Sequence, residues 1–245
     1  MEKRKFVVGI VWYGDFGALI ETIAYQYFKN TSVRIYSRKK DPDWIKFFSI
    51  DDVCKSDVVF VAVPIKHFEK TISNIVDLVS PQTLLVDVCT VKIHPSKILK
   101  EYSNKIKYIC THPMFGPYSF AKINNSLNWL RMVLTDHNLD LKFYDEIKFL
   151  LQWLGLNILE KTSQQHDKQL AETLFLTHFI GQIVHIGRFE RTDIDTLSFG
   201  FLMDAVESVR NDEELFIDVF KYNPYCKHVL EKFHHTTDKV VEKLE

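Results

Sequence analysis

The stretch that decides the fold is Phe6-Val7-Val8-Gly9-Ile10-Val11-Trp12-Tyr13-Gly14-Asp15-Phe16-Gly17. It opens with an apolar, β-branched run, the composition of a strand buried on both faces. It continues into a glycine-bearing turn and then a segment with apolar residues at helical spacing: Phe16, Leu19, Ile20, Ile23, Ala24 and Tyr27. Strand, glycine turn and helix in that order are the start of a dinucleotide-binding βαβ unit. In the GxGxxG pattern the second glycine lets a pyrophosphate approach the backbone, and the third lets helix and strand pack closely. Gly14 and Gly17 fill those places, while the first is Trp12. A tryptophan there must either leave the turn or cover the site. Gly14, Asp15, Phe16 and Gly17 are the candidate phosphate contacts, because a helix N-terminus offers unpaired N–H groups and a partial positive charge. A bare packing junction is the alternative.

Working outward, Val33 to Tyr36 reads as a second strand, Val58 to Val63 as a third, Thr83 to Val88 as a fourth and Ile106 to Cys110 as a fifth. Arg131 to Leu134 reads as a further strand. Val63 and Pro64, ending the third strand, join the candidate cofactor residues. Strands alternating with helices predict an α/β fold, a Rossmann-like doubly wound parallel sheet. From Gln164 onward the pattern is helical only, with breaks around Arg191 to Asp195 and at Asn223-Pro224. Two domains are expected: 1–161, dinucleotide-binding, and 162–245, a small all-helical domain for substrate binding and dimerisation. The apolar stripe Leu170, Leu174, Phe175 and Phe179 predicts packing on the first domain or on a second subunit, hence a homodimer.

The second strand ends in Tyr36-Ser37-Arg38-Lys39-Lys40. NAD sites place an acidic residue there for the ribose hydroxyl, whereas a 2′-phosphate is met by cations and hydroxyls. Ser37 and Arg38 therefore favour NADP over NAD, with the guanidinium clamping phosphate or stacking on adenine. A solvated basic turn is the other reading.

Bulk properties exclude several classes. The 245 residues carry a net charge of -1, which gives no electrostatic handle for nucleic acid or a membrane surface. Cys54, Cys89, Cys110 and Cys226 form no CxxC pair, so neither zinc nor any other metal is expected, and a reduced cytoplasmic location is. The N-terminal apolar run is too short for a secretory signal and lacks a small-residue cleavage site; it reads as the first buried strand. No run is long enough to span a bilayer.

Two further segments carry a resemblance. Asp87-Val-Cys-Thr-Val-Lys92 and Thr111-His-Pro-Met-Phe-Gly-Pro117 resemble the paired signatures of the prephenate and arogenate dehydrogenase family. Gln165-His166-Asp167 and Leu176-Thr177-His178 resemble the start of that family's helical domain, and order and spacing agree from the glycine turn to Asn223-Pro224. Ser37-Arg38 and Asn223-Pro224-Tyr225 look most like the arogenate-using, NADP-linked members. The resemblance implies oxidation of a ring hydroxyl, with hydride passing to the nicotinamide and the ring carboxyl leaving as carbon dioxide. It makes His112 the base, a role suited to an imidazole at neutral pH; a loop cap before Pro113 is the structural alternative. Thr90 stands where most of the family has Ser, and keeps the hydroxyl. Lys92 either neutralises charge near the substrate or is an ordinary exposed lysine. By the same resemblance His178 holds the substrate side chain, Gly116 allows close backbone approach, and His166 is structural. Many prephenate-specific members carry an Arg further along the helical domain; here Ser198 to Val209 has none and Arg210 follows. That departure favours arogenate. A non-catalytic member that binds a ligand or partner, and another Rossmann oxidoreductase acting on a small acid, remain as alternatives.

Overall fold

The computed structural model describes residues 4–210 and 212–245. The chain forms two compact units, Met1–Ser163 and Gln164–Glu245, divided two residues beyond the boundary expected at Lys161.

In the first unit β1 (Phe6–Val11) leads through the turn into α1 (Asp15–Tyr27) and returns as β2 (Thr31–Tyr36). Then come α2 (Ile50–Cys54), β3 (Val58–Val61), a short 3₁₀ turn (Ile65–His67), α3 (Phe68–Ile75), β4 (Leu84–Asp87), α4 (Ile93–Glu101) and β5 (Lys107–Pro113). The unit ends with α5 (Pro117–Lys122), β6 (Arg131–His137), α6 (Leu141–Trp153) and β7 (Asn157–Glu160). Among the described residues, seven strands form one sheet in the order β2-β1-β3-β4-β5-β6-β7. β1 lies between β2 and β3 and is parallel to both, with Val8 opposite Val33 and Val58. This is the switch point at which doubly wound sheets open a ligand crevice. Ile10, Ile35, Val59 and Val61 have no exposed surface, because the sheet is covered on both faces. One side packs Ile10, Ile20, Ala24, Val33 and Ile35 together. Elsewhere in the unit Leu84, Ile109, Leu134 and Tyr144 form a second cluster.

Three expectations are corrected. The third strand stops at Val61 rather than Val63. Pro64 has no N–H to extend a ladder, and the chain turns there into the 3₁₀ segment. The sheet is not wholly parallel: β6 runs antiparallel to β5, and β7, unforeseen in the sequence, pairs parallel with β6. Finally, β5 continues past Cys110 to Pro113, because β6 supplies partners: His112 faces Val133 and Pro113 faces Met132. His112 therefore lies within a strand rather than beyond one.

The second unit holds α7 (Ser163–Leu170, which begins at the boundary), a π-helical turn (Ala171–Phe175), α8 (Leu176–Ile186), α9 (Leu197–Val209), α10 (Glu213–Tyr222) and α11 (Cys226–Val241). The break before α9 ends at Thr196, whose hydroxyl accepts from the Phe199 N–H at 3.2 Å and caps the helix. Asn223 closes α10 and ties back to α7, its side-chain amide donating to the Asp167 carbonyl at 2.8 Å. Val184, Met203 and Val206 pack α8 on α9. Among the described residues no helix is long and apolar enough to cross a membrane, and no three His, Cys, Asp or Glu side chains are grouped to hold a metal ion.

Candidate active site

The turn after β1 keeps its geometry despite the missing glycine. Trp12 has φ of 82°, the left-handed conformation that glycine adopts freely and a residue with a Cβ adopts at a cost. Its N–H donates to the Tyr36 carbonyl at 2.9 Å, which pins the turn to β2. Gly17 is required by packing, since a Cβ there would sit 2.6 Å from the Trp12 carbonyl oxygen. At Gly14 an added Cβ would meet only the Trp12 indole, at 3.5 Å. Gly14 caps α1 with no side-chain hydrogen bond. The helix N-terminus thus offers its backbone donors to a phosphate, and this half of the turn fits a dinucleotide. Asp15 lines a 390 Å³ cleft on the α1 side with Thr22, Gln26, Pro117 and Phe120. Phe16 is half-buried and packs with the clusters on either side of α1.

At the end of β2 the Ser37 hydroxyl accepts from the Lys39 N–H at 3.3 Å, which shapes a tight turn. Arg38 does not stand free of the cleft: its guanidinium carbon lies 4.5 Å from the centre of the Trp12 ring. The His67 ring packs on the same indole, centres 5.8 Å apart and tilted by 34°. Val11, Trp12, Tyr36, Arg38, Val63 and His67 are among the residues around a 220 Å³ cleft here. Pro64 is half-buried at the entry to the 3₁₀ turn. Arg38 and Val63, two of the residues expected at a cofactor site, thus line this cleft together with the chain's own Trp12 ring.

The loop from β4 to α4 is organised around Asp87. One carboxylate oxygen accepts from the Cys89 N–H at 2.8 Å, and the other pairs with the Lys92 ammonium. Lys92 also donates to the Thr111 carbonyl at 2.5 Å, and the Thr111 hydroxyl donates to the Asp87 carbonyl at 2.8 Å. Both charged side chains are fully buried. Lys92 is thus not an exposed lysine; it ties the Thr90 loop to β5 next to His112. Sequence spacing could not show this, because the partner carbonyl belongs to a residue 19 positions on. Thr90 is half-buried on that loop, and His112 is 6% exposed. After β5 the Gly116 N–H donates to the Ser119 hydroxyl at 2.9 Å and starts α5. A Cβ added at Gly116 would meet nothing within 4 Å, so no protein contact demands glycine there.

In the helical unit His166 and Asp167 pair at 2.8 Å, both buried. His178 is buried three residues past the π-helical turn, and its Nδ1 has no hydrogen-bond partner. Its ring stacks on Phe216 with centres 6.4 Å apart. Burial pulls its pKa down, partly opposed by Asp212, so the imidazole is held neutral at ordinary pH. Buried polar atoms are satisfied in the great majority of cases, so the bare Nδ1 in this aromatic setting is an exception. All four cysteines are free and buried, and burial pushes the Cys54 and Cys226 thiols up to about 12 and those of Cys89 and Cys110 well above the usual range. None is poised as a nucleophile.

Comparison with known proteins follows this division. The family described as prephenate dehydrogenase, nucleotide-binding domain, matches residues 45–158, a span that includes Thr90, His112 and Gly116. The family described as TYRAAT1-like, C-terminal domain, matches residues 185–245. Arogenate dehydrogenase 1, chloroplastic, of Arabidopsis thaliana is 29% identical over 95% of this chain, which spans 38% of that protein. Arogenate dehydrogenase 2, chloroplastic, of the same plant is 26% identical over 97% of the chain, which spans 69% of it. Among solved structures, prephenate dehydrogenase from A. aeolicus in complex with hydroxyphenyl propionate and NAD+ superposes with a TM-score of 0.76 at 16% identity, covering 100% of this chain and 92% of that one. Synechocystis arogenate dehydrogenase does so with 0.68 at 17% identity, covering 98% and 92%. Likeness at that identity speaks for the fold, and the sequence matches carry the relationship. Residues 45–158 are thus similar to the prephenate dehydrogenase nucleotide-binding domain, and nearly the whole chain is similar to the two plant arogenate dehydrogenases.

Proposed function

We propose that this chain catalyses the NADP-dependent oxidative decarboxylation of arogenate, with prephenate the related alternative, in tyrosine biosynthesis. The observation that carries the reading is His112, nearly buried on β5 and adjoining Thr111, which the Asp87–Lys92 network holds. The curated plant relatives, named for arogenate, support the substrate, and Ser37 with Arg38 supports the 2′-phosphate.

When bound, the nicotinamide supplies the acceptor for the hydride that leaves the hydroxyl-bearing ring carbon. His112 takes the hydroxyl proton as the carbonyl forms. The electron pair of the ring–carboxylate bond then enters the ring as carbon dioxide departs, and the product is aromatic. Thr90 orients His112 or the substrate hydroxyl. Lys92 acts through position: its hydrogen bond to the Thr111 carbonyl fixes the backbone next to the base. Neutral His178 holds the substrate side chain through its unpaired Nδ1, and open space at Gly116 admits the substrate or nicotinamide closely.

Two further parts belong to the same proposal. The chain is a homodimer through its helical unit, where Ile186, Ile194, Leu197 and Phe201 are exposed by 65% or more. It works in a reducing compartment, the cytosol by the sequence reading, in keeping with four free thiols. The test is steady-state turnover of the wild type and His112→Asn with arogenate and prephenate. A general base contributes about 10²–10⁴-fold, so the variant should lose that much kcat while NADP affinity changes little. Near-normal turnover in the variant would remove His112 from the mechanism. The placement of Trp12 favours one second reading, a family member that binds a ligand or partner without catalysis; a folded protein that binds neither cofactor would establish it.

A further inference from the structure

The glycine turn presents a contradiction: its backbone fits a dinucleotide, but its first residue is a large aromatic. The backbone at Trp12 has little freedom. Its N–H is held by Tyr36, its carbonyl oxygen lies against Gly17, and Val11 before it accepts from the Ala62 N–H at 3.0 Å. From this backbone position the side chain lines the crevice at the carboxyl ends of β1, β2 and β3. In doubly wound sheets that crevice receives the adenosine half of a dinucleotide, with the residue after β2 reading the ribose. An arginine in that place offers a flat guanidinium face on which a heteroaromatic ring stacks. Here the guanidinium of Arg38 already lies over an indole at 4.5 Å, and His67, leading into α3, packs on the same ring. Indole and adenine are both flat bicyclic heteroaromatics. The chain supplies from its own turn the group that the ligand would bring.

Resting on the dehydrogenase reading above, we infer that Trp12 is a built-in occupant of the adenosine subsite, which NADP must displace from Arg38 and His67 to bind. Adenosine-bearing ligands then bind more weakly than the turn's backbone alone would allow, whereas a ligand confined to the nicotinamide half is unaffected. Replacing Trp12 with glycine removes the competitor and also suits the positive φ, so the variant should fold at least as well.

The experiment is calorimetric titration of the full chain, wild type and Trp12→Gly, with three probes: NADP, adenosine 2′,5′-bisphosphate and nicotinamide mononucleotide. Thermal unfolding confirms that both proteins are folded. The expected result is that the variant binds NADP and the bisphosphate about tenfold more tightly or better, equivalent to about 1.4 kcal/mol, and binds the mononucleotide as the wild type does. In parallel, the Trp12 contribution to fluorescence, isolated by difference from the variant, should shift to the red as NADP expels the ring into water. Equal or weaker binding by Trp12→Gly, with the wild type binding NADP normally, would overturn the inference and leave the dehydrogenase reading standing, with Trp12 then a platform rather than an occupant. No binding of any probe by either folded protein would overturn both.

Discussion

Lys92→Met isolates the buried ion pair beneath the proposed base. Methionine has nearly the length of lysine and no charge, so the packing change is small, below about 1.5 kcal/mol for a volume-conserving swap. The electrostatic change is larger. Once the ammonium is gone Asp87 keeps its hydrogen bonds from Cys89 but no cation, and its carboxylate has no exposed surface. Removing one member of a buried pair costs about 3–5 kcal/mol, because the other charge is left uncompensated. At about 2–4 °C per kcal/mol for a unit of this size, the melting midpoint should fall by about 6–20 °C. Asp87→Asn combined with Lys92→Met removes both charges while keeping an acceptor for the Cys89 N–H, and should recover most of that loss, since neutral replacement of a buried pair is often close to neutral. Urea and thermal unfolding of the wild type, both single variants and the double variant complete the cycle. A loss under about 1 kcal/mol in Lys92→Met, or a double variant no more stable than the single, would refute the reasoning.

Gly17→Ala should lower both stability and cofactor affinity. Alanine gains about 1 kcal/mol of helix propensity, but its Cβ would lie 2.6 Å from a backbone oxygen that cannot swing aside, and overpacking of that kind costs about 1–3 kcal/mol; a raised melting midpoint would contradict this. His178 should make the protein acid-sensitive. Burial depresses its folded pKa below the unfolded value of about 6.5, so the unfolded chain takes up the proton first. Its contribution to stability is intact above that value and is lost as pH falls towards the folded pKa. His178→Phe, which preserves stacking on Phe216, should flatten the stability profile between about pH 7 and about pH 5; parallel profiles would count against it.

Much of the fold was legible because its signals are local. The apolar runs at Phe6–Val11 and Val58–Val61 announce strands covered on both faces, and the spacing from Phe16 onward announces the helix that follows. The His-Pro-Met-Phe-Gly-Pro run carried the resemblance, and it lies inside the span that matches the prephenate dehydrogenase nucleotide-binding domain. The short edge strand β7 carried no such signal: Asn157–Glu160 is four residues long, with polar ends and no fully buried member, and only pairing with β6 makes it a strand. The same pairing logic extended β5 through His112, since β6 arrives from a separate part of the chain.

By itself, then, the sequence determined the alternation of elements, the glycine turn, the family signatures and the absence of a cysteine-based metal motif, all of which are properties of neighbours along the chain. Tertiary structure decided the burial and role of Lys92, whose partners Asp87 and Thr111 meet only when β4 and β5 pair. It also decided the fate of Trp12. A one-dimensional pattern shows that a glycine is missing, but whether the indole leaves the turn or fills the crevice depends on Arg38 and His67, brought to it by β2 and the turn after β3. Contacts between side chains far apart in sequence leave no periodicity to read, because their energy depends on distances that only the folded backbone sets.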